Sequence, residues 1–412
     1  MNKFLNLTFA AAWATLAGCA GGPALSSDTA PRLSRGIAVA DSLVNAAVGT
    51  LTPGAVLSVV ADGRVLHERA YGHAQLYDKN KKLLRTPRPM QVTTMFDLAS
   101  VTKVMATTFA VMLLVDKGLI DIDAPVYRYL PDYRGSHLDS VTVRHLLNHS
   151  SGLVQWQPLY YQAATGDETF AAIRRMPLQW GVGEGRHYSD LGFMLLGYIV
   201  ERVSAQPLDK FVHENFYLPL GISATFNPRA ESVAEFAATE TGNGYEHRMV
   251  HDTTFGYRYR GDPASWNGWR QDVLIGEVND GNAFYANAGV AGHAGLFGRA
   301  SDLQVLLQLL MNGGRAGGRQ VVSSGTIEKF LTVDHYGHYL GWQKPDNAPP
   351  GSFMHTGFTG TYVLGVPQHR ISIVLLTNRQ HIGASERGLF PDVGPLRAAV
   401  TRAIVSGAEA DK

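Results

Sequence analysis

The chain has 412 residues, 45% hydrophobic and 10% aromatic, enough apolar side chain for a large core, which excludes a disordered chain. Its 36 basic and 35 acidic residues nearly cancel and form no long basic run, so nothing points to nucleic acid as a partner. The single cysteine, Cys19, excludes an internal disulfide.

The first stretch, "MNKFLNLTFAAAWATLAGCA", has Lys3, then a mostly apolar run, then Leu16-Ala17-Gly18-Cys19. It reads as a secretory signal over 1–18 that ends in a bacterial lipobox, with Cys19 as the lipidation site. A plain signal peptide with a chance cysteine is the alternative. Residues 19–32, small, polar and proline-bearing, read as a flexible tether. The expected location is therefore the bacterial cell envelope, as a periplasmic lipoprotein held to the membrane by its lipid alone. No later apolar run is read as long enough to span a bilayer.

A first helix is predicted over Leu33 to Val48. Two β-rich runs follow around Asp62-Gly63, a favoured hairpin turn, and "DKNKK" reads as a solvated loop. An apolar helix is predicted from Ser100 to about Val115, stopping near Gly118. "SVTVRHLLNHSSG" predicts a short helix from about Thr142 to before Gly152. Leu191, Leu195, Ile199 and Val203 recur at near-helical spacing until Pro207. Ser301 with Gln304 three residues on predicts a capping box at the next helix. "HYLGWQ", "GSFMHTGFTG", "TYVLGVPQ" and "ISIVLLTNR" read as strands, and a last helix covers about Pro395 to Val405. Strands at both ends with helices between predict an α+β fold, an antiparallel sheet flanked by helices with a mostly helical second lobe. The expected division is a discontinuous sheet domain, 33–118 and 325–408, and a helical domain, 119–324.

"FDLASVTKVMATT" places Ser100 three residues before Lys103 at the start of that apolar helix. Helical spacing puts both on one face. A serine hydroxyl is a poor nucleophile until a neighbour takes its proton, and a desolvated lysine can help. A helix start adds N–H groups where an oxyanion could form. Taken alone the pair is equally a capping serine and a snorkelling lysine.

Two further stretches alter that balance: Tyr188-Ser189-Asp190 at the opening of an amphipathic helix, and His355-Thr356-Gly357 before "FTGT". In this order the chain resembles the serine β-lactamases and penicillin-binding proteins, in particular the class C branch with its carboxylesterases and D-amino-acid peptidases. That family runs Ser-x-x-Lys, Tyr-x-Asn, Lys-Thr-Gly. "VTVRHLLNHSSGL" and "GVAGHAGLFGRASDL" are similar to its members too, so the resemblance covers about Leu33 to Val405. It implies a β-lactamase/transpeptidase-like fold and covalent acyl transfer on Ser100, with Lys103 and Tyr188 handling protons. It also implies an oxyanion hole from the backbone N–H groups of Ser100 and Phe358, and no cofactor or metal.

Two departures stand out. Asp190 replaces the usual asparagine and would pair with Lys103, holding it protonated and moving base duty to Tyr188. His355 replaces the lysine that the β-lactam-active members use toward a substrate carboxylate, so strong β-lactamase activity is not expected. His355, Thr356 and Gly357 would contact substrate, or His355 would tune Tyr188. Arg379 is a candidate for binding an acidic substrate group, and His293 for the pocket rim. The expected substrate is an ester or amide, such as a D-amino-acid or muramyl peptide from peptidoglycan. The rivals are a carboxylesterase for small esters and a non-catalytic binder of wall fragments.

Other clusters carry less. His145 and His149 have the spacing of a zinc pair but no third ligand, and read as polar positions on a helix. Gly289, Gly292 and Gly295 fit no phosphate loop and are expected to let backbone pass closely. Trp266 and Trp269, with Arg260 or Arg270, offer a sugar-stacking wall; packing against the helical lobe is the preferred reading.

Overall fold

Asp62 and Gly63 both take positive φ, 49° and 72°, a turn matched to the right-handed twist of the strands it joins. They close β1 (Gly54–Ala61) onto β2 (Arg64–Tyr77) as the predicted hairpin. The computed structural model describes residues 29–228, 233–255 and 259–409. The expected leader, 1–18, and Cys19 lie outside these residues.

A third early strand, β3 (Leu83–Pro89), pairs with β2 and was not expected. Its Pro87 and Pro89 hide it in the sequence, and they are tolerated because β3 lies at the sheet edge. The late strands are β4 (Phe353–Thr356), β5 (Tyr362–Val366) and β6 (Ile371–Thr377). The six form one antiparallel sheet in the order β4-β5-β6-β1-β2-β3. "HYLGWQ" is not a strand. Only Gln343 pairs, by an isolated bridge to Met354, while Tyr339, Leu340 and Trp342 turn into the core.

In chain order the helices around this sheet and the site are α1 (Thr29–Ala47), α2 (Thr108–Asp116), α3 (Val143–Leu147), α4 (Asp190–Ser204), α5 (Ala300–Met311) and α6 (Gly394–Ala408). Because α1 opens at Thr29, the last residues of the expected tether are helical. Leu33, Ile37 and Val44 of α1 and Leu396, Val400 and Ile404 of α6 cover one sheet face, over Leu57, Val59, Ile373 and Leu375. The two helices cross where Gly36 leaves room. A Cβ there would lie 2.2 Å from Ala403 O.

The opposite face, which includes Val56 and Ser58, packs on α5 and the larger core. Here the expected capping box is corrected. Arg299 is the N-cap, and Asp302 accepts N–H bonds from Arg299 (3.1 Å) and Ser223 (2.9 Å). Gln304 faces the sheet, donating to Ser58 O at 3.0 Å. An acidic side chain suits the positive helix start, which leaves the buried amide to satisfy sheet carbonyls.

Ala99–Asp116 is an unbroken helical run of 18 residues with mean hydropathy 1.5, long and apolar enough to cross a membrane, contrary to the expectation that no such run exists. It is 83% buried inside the protein and serves as its central core helix.

Candidate active site

The serine sits at a strained corner. Phe96–Asp97 pairs with Phe297–Gly298, and Leu98 N–H donates to Leu296 O at 2.9 Å. The chain then turns through Ala99 at φ 46°, a region that a Cβ disfavours by about 1–3 kcal/mol. Buried Asp97 holds the corner, its carboxylate accepting N–H bonds from Ala99 (2.9 Å) and Asn279 (2.6 Å). Ser100 lies in a 3-10 turn (Ala99–Val101) and Lys103 opens a π-helical turn (Lys103–Thr107) that leads into α2. The pair is therefore at a junction of tight and wide turns rather than on the regular α-helix expected. The 3-10 geometry brings positions three apart nearly into line, and Lys103 Nζ lies 3.0 Å from Ser100 Oγ. The first backbone bond of the turn is Val101 N–H to Leu98 O, so Ser100 N–H lies ahead of it.

Tyr188 and Asp190 flank Ser189, the cap of α4, whose hydroxyl accepts Gly192 N–H. Asp190 stands 2.7 Å from Lys103 Nζ, with side-chain exposures of 16% and 0%. Nζ also donates to His293 O at 3.0 Å. Burial opposes the lysine charge, but Asp190 and Tyr188 outweigh it and hold the pKa above the ordinary lysine value. Lys103 is thus an ammonium ion. The Tyr188 phenol hydrogen-bonds with both Lys103 and Ser100, and Nζ sits 5.0 Å from its ring centre. Burial raises its pKa against the pull of Lys103, so it is a neutral phenol near pH 7.

The third motif is stapled to the serine corner. Thr359 donates to Asp97 O at 2.7 Å and Thr361 to Leu98 O at 2.9 Å. Gly357 is required at this contact, since a Cβ would lie 2.0 Å from Thr361 Oγ1 and 2.5 Å from Leu98 O. Arg397 donates to Gly357 O, so Phe358 N–H, on the same trans peptide, points the opposite way. Arg379 does not act as expected. Its guanidinium donates to Phe358 O (2.7 and 3.0 Å) and Pro391 O (2.9 Å), clamping the loop. His355, 1% exposed, places Nδ1 2.9 Å from Thr356 O, which fixes the proton on Nδ1. Burial, then Lys103, push its pKa down to about 3, so it is neutral. Thr356 ends β4, half-buried.

His293 lies beneath the pocket, not at its rim. It is 1% exposed, with Nε2 2.9 Å from Asp280. Asp280 and buried Glu246 both accept N–H bonds at the start of the helix Gly281–Ala286, from Ala283 and Gly281 respectively. Burial pushes both carboxyls up, but His293 more than offsets this for Asp280 and holds it below the ordinary value. Glu246 is pushed up to about 8 by burial and by the Asp280 charge. Burial likewise raises Asp97 to about 6 and Glu240 to about 7. A carboxyl raised on folding adds stability below its unfolded value, and that stability is lost as pH rises through the folded value. Buried His355 and His381, held down to about 3 and about 4, act the opposite way below the ordinary histidine value, so the melting temperature is expected to fall between about pH 6.5 and pH 8, with Glu240→Gln flattening its share. Thermal scans across that window check this, and a melting point that climbs steadily to pH 8 contradicts it.

His145 and His149 serve separate backbone groups: His145 Nδ1 accepts Thr142 N–H and His149 Nδ1 accepts Ser189 N–H. Gly292 does admit close backbone, since a Cβ would lie 2.0 Å from Phe193 O. Trp266 and Trp269 pack on Tyr160, at 4.7 and 5.8 Å between ring centres, and Arg270 binds Asn243, Val278 O and Asn279 O. Packing, the preferred reading, agrees with this. A cavity of about 440 Å³ lined by Tyr77, Tyr245, Gln380 and Phe390 adjoins Phe358 through Tyr245 but includes none of Ser100, Lys103 and Tyr188. Sequence reasoning missed Asp97 at the site and read His149 only as a polar helix position, although its ring lies 4.4 Å from that of Tyr188. Asp97 lies three residues before Ser100, but nothing in its pattern separated it from a solvated neighbour.

A serine, an ammonium and a phenol gathered at the end of an antiparallel sheet define a serine hydrolase. The family described as Beta-lactamase matches residues 40–393, and the chain belongs to it. Among curated relatives, N-acetylmuramyl-L-alanine amidase of Bacillus subtilis (strain 168) is 33% identical over 385 residues, covering 87% of this chain and 84% of that protein. A putative D-alanyl-D-alanine carboxypeptidase of Escherichia coli (strain K12) is 33% identical over 360 residues, covering 80% and 79%. Among solved structures, a class C beta-lactamase superposes with TM-score 0.66 at 20% identity, covering 92% and 97%. EstCE1, a hydrolase with promiscuous acyltransferase activity, gives TM-score 0.66 at 22% identity, covering 90% and 99%.

Proposed function

We propose that the protein cleaves an amide in a peptidoglycan-derived muramyl or D-amino-acid peptide through an acyl-enzyme on Ser100. The observation that carries this is the contact of Ser100 with both Lys103 and Tyr188 while Asp190 keeps Lys103 charged. An ammonium cannot accept the serine proton, so the phenol relays it. As Ser100 Oγ bonds to the carbonyl carbon, its proton passes to Tyr188 oxygen, and Tyr188 gives its own proton to the leaving nitrogen as the C–N bond breaks. Lys103 stabilises the negative charge on this path. The oxyanion rests against the N–H groups of Ser100 and Phe358. Water then attacks the acyl carbon and passes a proton to Tyr188 oxygen, while Tyr188 gives its own proton to Ser100 Oγ as the acyl C–O bond breaks.

The cell-wall names of the amidase and carboxypeptidase relatives support this substrate class and an envelope location, with Cys19 as the anchor point. In this reading the cleft lies between a sheet domain, 33–118 with 325–408, and a helical domain, 119–324. The test is a fluorophosphonate probe with a screen of muramyl peptides, D-Ala-D-Ala peptides, p-nitrophenyl esters and nitrocefin. Labelling of Ser100 with turnover of a wall peptide and slow nitrocefin hydrolysis is expected. Turnover of small esters alone favours a carboxylesterase, and an unlabelled protein that binds fragments is a binder. Tyr188→Phe, which removes the relay oxygen, is expected to lower kcat by about 10²–10⁴-fold with an unchanged melting point; near-normal kcat refutes the relay.

A further inference from the structure

The cavity of about 440 Å³ beside Phe358 takes no part in the chemistry at Ser100, yet it is of a size that holds a ligand. It is joined to the serine corner by two routes. The backbone around Phe358 is held there, with Thr359 donating to Asp97 O at 2.7 Å. The Phe358 ring, 37% exposed, lies 4.7 Å from that of Tyr245 and 6.0 Å from that of Phe390, both in the cavity wall. By the second route, Glu240 and Gln380 of the lining bond the Asn279 side chain at 3.2 and 3.3 Å, and Asn279 N–H donates to Asp97 at 2.6 Å. Asp97 in turn accepts the N–H of Ala99, the residue before Ser100. A substrate whose carbonyl rests against Phe358 N–H therefore has the cavity within reach, past a single exposed ring.

The lining has a clear chemical bias. Glu240 is its one acid, and its two oxygens accept Tyr245 N–H at 2.8 Å and the Asn279 amide. Arg248 is held by Asp252 at 3.0 Å and by Arg387 O. Lys81 differs. It is exposed, and its ammonium has no acceptor among the described residues. A turn between β2 and β3 carries it, with Lys81 at φ 58° and its N–H 3.0 Å from Asp78 O. A Cβ placed on Gly383, across the lining, would lie 3.9 Å from Lys81 Nζ. The Tyr77 and Tyr245 hydroxyls also make no hydrogen bond among the described residues, and neither is covered. An anion entering the cavity thus meets an unpaired ammonium, two unpaired hydroxyls and the rings of Tyr245 and Phe390, stacked with centres 5.6 Å apart.

We propose that this cavity is an extended substrate subsite that takes a carboxylate-bearing arm of the substrate, with its acid on Lys81 and its body on Tyr245 and Phe390. This rests on the acyl-transfer reading of the neighbouring site, but binding and chemistry are separable. Ser100→Ala is titrated by calorimetry with muramyl-L-Ala-D-Glu and with acyl-D-Ala-D-Ala, each as the free acid and as the carboxamide. The titration is run at pH 6, where Glu240, pushed up to about 7 by burial, is mostly neutral. The acid of at least one probe is expected to bind about fivefold or more tighter than its amide. Adding Lys81→Gln should bring acid and amide level, while adding Lys81→Arg keeps a preference. Ala384 is an exposed lining residue, and adding Ala384→Trp, which fills the cavity, should weaken both forms about tenfold or more. No acid preference, a preference that survives Lys81→Gln, or affinity untouched by Ala384→Trp overturns the subsite. Fluorophosphonate labelling of Ser100 in the wild type reports separately on the acyl-transfer reading.

Discussion

Ser100→Ala is expected to lower kcat by about 10⁴-fold or more and to abolish fluorophosphonate labelling, with the melting point unchanged or raised. In the proposed mechanism the serine supplies the oxygen of the covalent bond, and no other hydroxyl contacts both Lys103 and Tyr188 among the described residues. Stability should not suffer, because the corner that presents Ser100 is held by others. Asp97 takes the Ala99 N–H, and Thr359 and Thr361 clasp the carbonyls of Asp97 and Leu98. A strained Ala99 beside a half-buried hydroxyl is a site held against its own preference, so removing the hydroxyl relaxes it or leaves it alone. Retained labelling at another residue would move the nucleophile elsewhere.

Lys103→Met should cost both activity and fold. The fully buried ammonium is the partner of Asp190, and removing one member of such a pair typically destabilises by about 3–5 kcal/mol. Asp190 keeps some exposure, which puts the loss at the lower end of that range. The double variant Lys103→Met with Asp190→Asn leaves no stranded charge and should regain most of the stability. Its activity should stay about 10³-fold or more down, because nothing cationic faces the developing charge. Asp190→Asn alone tests the pairing by pH. With Asp190 gone, burial, the largest influence on Lys103, lowers its pKa. The ammonium form would then be lost at lower pH, and the alkaline limb of kcat/KM should shift downward. Equilibrium unfolding and pH-rate profiles measure these effects, and a double variant no more stable than Lys103→Met would remove the ion pair from the account.

Much of the fold was readable because its signals are local. Asp62-Gly63 makes its turn from two residues, and Thr142 caps its helix with the residue three along. The misses share a different cause. β3 looks like a charged, proline-bearing loop, and only an edge position makes it a strand. Tyr339, Leu340 and Trp342 have strand-like composition, but the sheet already ends at β4 and they fill the core instead. Asp302 displaced Ser301 and Gln304 at the start of α5 because Gln304 had a buried task on the sheet.

At the site, the residue types and their order in the chain sufficed to nominate Ser100, Lys103, Tyr188, Asp190 and His355, since each chemical role calls for a particular functional group. Sequence also determined that Asp190 brings a charge where an amide is usual. What only the tertiary structure decided is which groups have donors to spare. Arg379 and Arg186 are both arginines near a motif, yet one clamps carbonyls of the loop and the other leaves its Nε without a hydrogen bond among the described residues. That difference, like the protonation of Lys103 and His355, depends on distances and burial in the folded protein, such as the approach of Asp190 to Lys103, which spacing along a chain does not encode.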